Sequence, residues 1–579
     1  MIKFTGTPSS DGIAIGTVYL IERELFRLPR YRIEKKDVEN EKARLYEAIE
    51  RSKEYFRKIK ISSKNVITAE HAYIFDAYLM FLNDKKFINE IVNYIEKRLI
   101  NAEFAVSLVV NKILKSFRDI KDEYFKERKY DFEHIAIRLI NEMAGKNSDN
   151  LYGIGGNNIV VSNDISPSDA ILLIKKNIKG LVLEKGSKTA HTSILARSIG
   201  IPAVVGVNSI CDYVDNDDFA IIDGFTGEII INPDDETLKR YREREERYKL
   251  YIDELNKLED ATVKTADGVD VNIFINVEIN EEIKLSNRYN IKGVGLYRTE
   301  FMYLANSNIS EDEQFKIFKE AILLNGDKQI TIRTYDLGGD KLNREKPYDK
   351  EANPALGLRA IRYSLKNRDF FKKQLRAIYR ASYYGDVKIM IPMVSGIEEI
   401  RETKRIIDEV KNELRLENKP YNDIPLGVMV EIPSLALIAN LVAKEVDFFS
   451  VGSNDLIQYT LGIDRGNENV SYLYRPTHIS VLMLLERILK AANKNNIEVT
   501  VCGDIASEPK YIAVLLGIGY RNLSVPPAAI LRTKMIIRRL YVNQCKKLLS
   551  RLKTRITAEE SELELEKFIE KNVSGIYFH

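Results

Sequence analysis

Phe448–Gly466 reads FFSVGSNDLIQYTLGIDRG. Its first six residues form a short apolar run of the kind that makes a buried strand. Asn454 and Asp455 stand immediately beyond that run, and Arg465 follows in a nearby loop. A strand that delivers an amide, a carboxylate and a guanidinium at its C-terminal end is how a parallel β/α unit carries chemistry. The plan repeats outward in both directions, in VNIFINV (271–277), GVGLYR (293–298), ITIRTY (330–335), KIMIPM (388–393), LGVMVEI (426–432), VTVCGD (499–504) and NLSVP (522–526). Helix-periodic segments such as 398–414 and 479–496 lie between most of them. Eight such alternations over about 300 residues predict a (β/α)8 TIM barrel spanning 261–579.

The other strand ends carry polar residues too. Arg298 follows GVGLY, Arg333 ends ITIR, Glu431 ends GVMVE and Cys502 sits in VTVCGD. Arg359 falls in a loop, and Lys341 follows the LGGDK turn. Taken singly, each has an ordinary structural reading: rim arginines make salt bridges, and a buried cysteine is inert core. Taken together they describe a site for a small polyanion with a hard divalent cation. Arginines offer paired donors to phosphate and carboxylate, and Glu431 with Asp455 supplies the one or two carboxylates that Mg2+ prefers.

The N-terminal part has a different texture. Its first twenty residues read as short strands around glycine and Pro-Ser-Ser turns, and strand-like runs return at 158–162, 180–184, 220–224 and 227–233. Between them, 34–146 has apolar residues at helical spacing, which predicts a helical bundle inserted into a small α/β domain made of 1–33 and 147–233. The densely charged segment 234–260 predicts a linker helix with one apolar stripe, including Leu238 and Tyr241. One of the five histidines, His191, stands in the polar turn GSKTAHTS, just before an apolar-periodic run stopped by Gly200 and Pro202. At or near a helix N-terminus, unpaired N–H groups and neighbouring hydroxyls would favour a negative charge on the imidazole, so it could carry a phosphoryl group. A plain capping turn is the alternative.

Net charge is +3 over 579 residues, so no global field points to nucleic acid or a membrane surface. No apolar run is long enough to span a bilayer. Cys211, Cys502 and Cys545 are too scattered for a disulfide framework or a zinc site, and the expected setting is the cytoplasm.

Seven segments carry a resemblance: GVGLYRTEFMY (293–303), IRTYDLGGDK (332–341), NPALGLRAIR (353–362), GVMVEIPS (427–434), 446–468 around Asn454–Arg465, VCGDIASEP (501–509) and KTAHTSILARSIGIPAVVG (188–206). Taken in chain order they resemble enzyme I of the phosphoenolpyruvate-dependent sugar phosphotransferase system. The resemblance implies a swivelling phosphohistidine α/β domain followed by the TIM barrel. It implies phosphoryl transfer from phosphoenolpyruvate to His191 and onward to the phosphocarrier protein HPr, with pyruvate released. Arg298, Arg333, Asn454 and Arg465 would hold phosphoenolpyruvate, Glu431 and Asp455 would bind Mg2+, and Cys502 would protonate the enolate carbon. The helical insertion would dock HPr, and the barrels would form a homodimer. The sequence departs from the family at Tyr78, Asp504, Ser507 and Arg521–Pro527, which puts HPr docking and turnover in question without removing an assigned residue. Rival readings are a phosphoenolpyruvate synthase or pyruvate phosphate dikinase relative, a nitrogen-branch enzyme I, and a non-catalytic regulatory homologue. The first would need an ATP-binding domain, the second an extra N-terminal sensory domain, and the third would dispense with His191, Cys502 or the carboxylate pair.

Overall fold

All eight expected barrel strands form, and they close. The computed structural model describes residues 1–21, 30–62, 78–116, 135–143, 154–165, 173, 176–185, 201–305, 308–338, 353–465, 467 and 469–573. The chain divides into two compact units at 251/252, within the helix Asp235–Asn256.

In the N-terminal unit, eight strands make one sheet: β1 (Ile2–Thr5), β2 (Thr7–Ser10), β3 (Ile13–Ile21), β4 (Asn158–Ser162), β5 (Gly180–Leu183), β6 (Ala203–Val205), β7 (Phe219–Asp223) and β8 (Glu228–Ile231). Their order across the sheet is β1-β8-β7-β3-β4-β5-β6-β2. Two details differ from the sequence reading. Pro8-Ser9-Ser10 is strand, not turn; it forms β2 at the sheet edge, where a residue without an N–H is tolerated. Ala203–Val205, hidden between a proline and a glycine, is a strand of only three residues, too short for periodicity to reveal.

The alternation of β3 divides the sheet's apolar residues between two faces. Ala14, Val18 and Leu20 pack with Val161, Val182 and Ile222, whereas Ile13 and Ile15 pack with Ile221, Ile230 and Tyr241. Tyr241 belongs to the charged helix Asp235–Asn256, whose apolar stripe is therefore spent on the sheet. Its polar flanks are paired as well: Tyr241 Oη donates to Glu228 at 2.7 Å, and Arg244 meets Asp223 at 2.8 Å. Helices Val38–Ser62, Lys85–Arg98 and Ala102–Ser116 share a buried cluster that runs on into Val160, Leu181, Leu183, Ala203 and Val205 of the sheet. Tyr78 is buried in that cluster with its ring edge-on to Phe56 at 5.0 Å, so the tyrosine acts there as core.

In the C-terminal unit, β9 (Asn272–Val277), β10 (Gly293–Tyr297), β11 (Gln329–Arg333), β12 (Val387–Ile391), β13 (Leu426–Val430), β14 (Phe448–Gly452), β15 (Glu498–Cys502) and β16 (Asn522–Val525) form a closed barrel, with β16 pairing back onto β9. All neighbours are parallel. Parallel strands need a crossover between them, and the helices supply it, so every strand ends at the same mouth.

Candidate active site

At that mouth, residues that end five of the strands or stand up to three positions beyond them converge. Arg333, the last residue of β11, is buried. Its Nη2 lies 3.1 Å from Glu300 and its Nη1 3.7 Å from Asp336, while its Nε is buried with no hydrogen-bond partner among the described residues. Burial opposes the charge, but Glu300, Asp336 and Glu431 outweigh it, so the guanidinium pKa is raised. A permanently charged buried group with an unused donor is a ready anion contact.

Glu431, just past β13, is also buried. Its Oε1 accepts the Met393 N–H at 2.6 Å, and Met393 holds φ +57, a left-handed conformation costly for a side chain of this kind. Space for the carboxylate comes from Gly452, where a Cβ would stand 2.5 Å from Glu431 Oε2. Burial, then Asp455 and Asp336, push the Glu431 pKa well above the ordinary carboxylate range. Asp455 lies in the first turn of the helix Ser453–Leu461 and is buried. Arg359 Nη2 reaches it at 3.3 Å, while Nε and Nη2 fork onto Asp336 at 2.8 Å each and Nη1 takes Tyr459 Oη at 3.1 Å.

Asn454 is fixed by a backbone group: its Oδ1 accepts the Asp504 N–H at 3.0 Å. The approach depends on Gly503, at φ +108, where a Cβ would stand 2.3 Å from Ser453 Oγ and 2.9 Å from Asn454 Oδ1. Only glycine fits. Because Asp504 contributes its backbone while its side chain is exposed, the contact does not depend on which acidic residue stands there.

Arg298 is partly exposed and paired with Glu278 at 2.6 Å. The Arg465 backbone N–H meets Gln458 at 3.3 Å, and its charge acts on the phenol of Tyr474 together with those of Asp504 and Asp455. Cys502, the last residue of β15, is buried, with Sγ 3.3 Å from Ser450 Oγ and 3.4 Å from the Val451 carbonyl. Burial pushes its thiol pKa up, while a hydrogen bond from Ser450 and the charges of Arg333 and Arg298 pull the other way. The thiol is therefore protonated at neutral pH. His191 and Lys341 lie outside the described residues.

Sequence reasoning missed Glu300, Asp336, Tyr459 and Met393. Glu300 and Asp336 stand three residues past β10 and β11, so the strand-end rule applied one step further finds both. Met393 contributes through its backbone, which leaves no mark in side-chain chemistry.

As for Mg2+, the donor set suits it: two buried carboxylates, one already held by a backbone N–H, beside a third in Asp336. Among the described residues no three His, Cys, Asp or Glu side chains gather into a closed cage. Two carboxylates completed by substrate and water oxygens is an arrangement Mg2+ favours.

The PEP-binding domain of PEP-utilising enzymes matches residues 252–542, their N-terminal domain 5–128 and their mobile domain 154–227. Barrel, mouth and domain order together define a phosphoenolpyruvate-utilising enzyme. A phosphoenolpyruvate-protein phosphotransferase of Staphylococcus aureus is 39% identical over 558 residues, 96% of this chain and 97% of that one. Those of Priestia megaterium (39% over 546 residues, 93% and 94%) and Geobacillus stearothermophilus (38% over 563 residues, 96% and 96%) are similar throughout as well. The chain belongs to the phosphoenolpyruvate-protein phosphotransferase family, enzyme I. Among the described residues no helix is long and apolar enough to cross a membrane.

Proposed function

We propose that this chain moves the phosphoryl group of phosphoenolpyruvate from the barrel mouth to His191, then to HPr, and releases pyruvate. The observation that carries this reading is the meeting, at one mouth, of a buried arginine with an unused Nε, a carboxylate pair and a buried thiol.

Arg333 and Arg298, with Asn454, Arg465 and Lys341, take the phosphate and carboxylate oxygens of the substrate. Arg359, its donors engaged by Asp336, Asp455 and Tyr459, positions Asp455. Glu431 and Asp455 would hold Mg2+, which when bound supplies positive charge to the transferring phosphoryl oxygens. The bond between phosphorus and the enol oxygen breaks as a ring nitrogen of neutral His191 forms a new one to phosphorus. Electrons left on the enolate draw the Cys502 proton onto the terminal carbon, completing the methyl group of pyruvate. A buried thiol with a raised pKa is suited to hold that proton until the enolate forms.

The acceptor belongs to one compact unit and the donor site to the other. We therefore propose that the N-terminal unit swivels about the 234–260 linker between the barrel and the carrier protein. HPr is assigned to the helical segment 34–146, the phosphohistidine domain to 1–33 with 147–233, and a homodimer contact to the barrel, 261–579. Three free cysteines suit a reducing, cytoplasmic setting.

Cys502→Ala tests the chemistry. Pyruvate formation should slow by about 10²-fold, as for loss of a general acid, with little change in KM for phosphoenolpyruvate. A rise in KM with unchanged kcat would make Cys502 a packing residue.

A further inference from the structure

Beneath the mouth, the barrel interior combines large apolar side chains, Leu296, Met390, Met429 and Phe448 packed with Cys502, with an unusual set of hydroxyls. Ser450 on β14 and Thr500 on β15 are register partners, and with Thr331 on β11 they line an internal cavity of about 10 Å3, room for about one water. Gln329, Lys388 and Glu498, at the first or second positions of their strands, line the same cavity from the N-terminal end of the barrel. Lys388 and Glu498 pair there at 2.6 Å, and the Glu498 side chain is 37% exposed, so this end meets solvent. The other end is Ser450 Oγ, 3.3 Å from Cys502 Sγ, with both residues buried. Hydroxyls in an apolar core cost free energy unless they are used. These join the thiol to the floor of the barrel, the side away from the substrate.

We propose that Ser450 is the positioning residue through which Cys502 recovers its proton, by way of this cavity and the N-terminal face of the barrel. The proposal rests on the reading of Cys502 as proton donor. Once Cys502 has protonated the enolate carbon, a thiolate remains in a buried site whose upper side is filled by pyruvate. The Ser450 O–H passes its proton to Sγ, and Oγ takes one from a cavity water that exchanges with solvent past Lys388 and Glu498. One solvent proton enters for each that leaves in the methyl group of pyruvate.

The first turnover uses the proton already on Cys502; only later turnovers need the relay. In full-length Ser450→Ala with phosphoenolpyruvate and Mg2+, the first turnover of His191 phosphorylation should be slowed far less than the later ones. Steady-state kcat with saturating HPr should fall about tenfold, the rate equivalent of one hydrogen bond to a charged sulfur, at unchanged KM and with a larger solvent deuterium isotope effect. Ser450→Thr, which keeps the hydroxyl, should restore kcat. Equal slowing of first and later turnovers would make Ser450 merely structural, and an unchanged kcat would exclude the relay; either overturns the proposal. If Ser450→Ala does not fold, Thr500→Val, at its register partner on the neighbouring strand, carries the same comparison. Failure of the unsubstituted protein to form phosphohistidine would instead defeat the underlying reading of the site.

Discussion

His191→Ala is expected to eliminate acid-labile phosphate from the protein while leaving phosphoenolpyruvate affinity within about twofold of the original, because donor site and acceptor lie on different units. The check is labelling from radioactive phosphoenolpyruvate, with substrate binding measured in parallel by calorimetry. His478 is the one histidine among the described residues, and its ring is engaged in capping: Nδ1 lies 2.7 Å from Ser480 Oγ and accepts the Ser480 N–H at the start of the helix Ile479–Lys494. Label surviving on the variant at His71 or His478 would contradict the assignment.

Glu431→Gln is expected to cost on the order of 10²–10³ in kcat, the scale of losing a charged group that stabilises the transition state. The amide oxygen can still accept the Met393 N–H, so the fold has no reason to fail. Stability should move the other way. Glu431 is buried against Asp455 and Asp336, and its pKa is raised in the fold. A folded state that binds more protons than the unfolded one loses stability as pH rises, here from the ordinary carboxylate range up to the raised value. In EDTA at pH 7 that loss is present in the original protein and absent from the variant, which should melt at a higher temperature. Excess Mg2+ or Mn2+ should narrow the difference in stability by compensating the buried charge in the original protein. A variant that is both inactive and less stable in EDTA would assign Glu431 to the architecture rather than to the metal.

How much of this could be read beforehand follows from what each contact is made of. Barrel strands were legible because parallel strands buried on both faces read as dense apolar runs, and their ends advertise polar side chains. So Arg333, Glu431, Asp455 and Cys502 could be named from position alone. Their pairings could not. That Arg359 grips Asp336 and Asp455 depends on a loop trajectory set by tertiary packing. Met393 and Asp504 act through backbone N–H groups that any residue possesses, and their aim depends on φ values near +57 at Met393 and +108 at Gly503. In the N-terminal sheet, Pro8 disguised an edge strand as a turn, and the three-residue β6 was too short to show a period. Ser450 was hidden by its ordinariness: one serine inside a strand says nothing until the cysteine opposite it is seen.

The central claim, that donor and acceptor are separate sites on separate units, is tested most directly by a fragment comprising residues 1–251, the N-terminal unit up to the division in the linker helix. Incubated with phospho-HPr, it should acquire acid-labile phosphate on His191. Incubated with phosphoenolpyruvate and Mg2+, it should acquire none, since Arg298, Arg333, Glu431, Asp455 and Cys502 are all missing. Phosphorylation of this fragment directly by phosphoenolpyruvate would contradict the account.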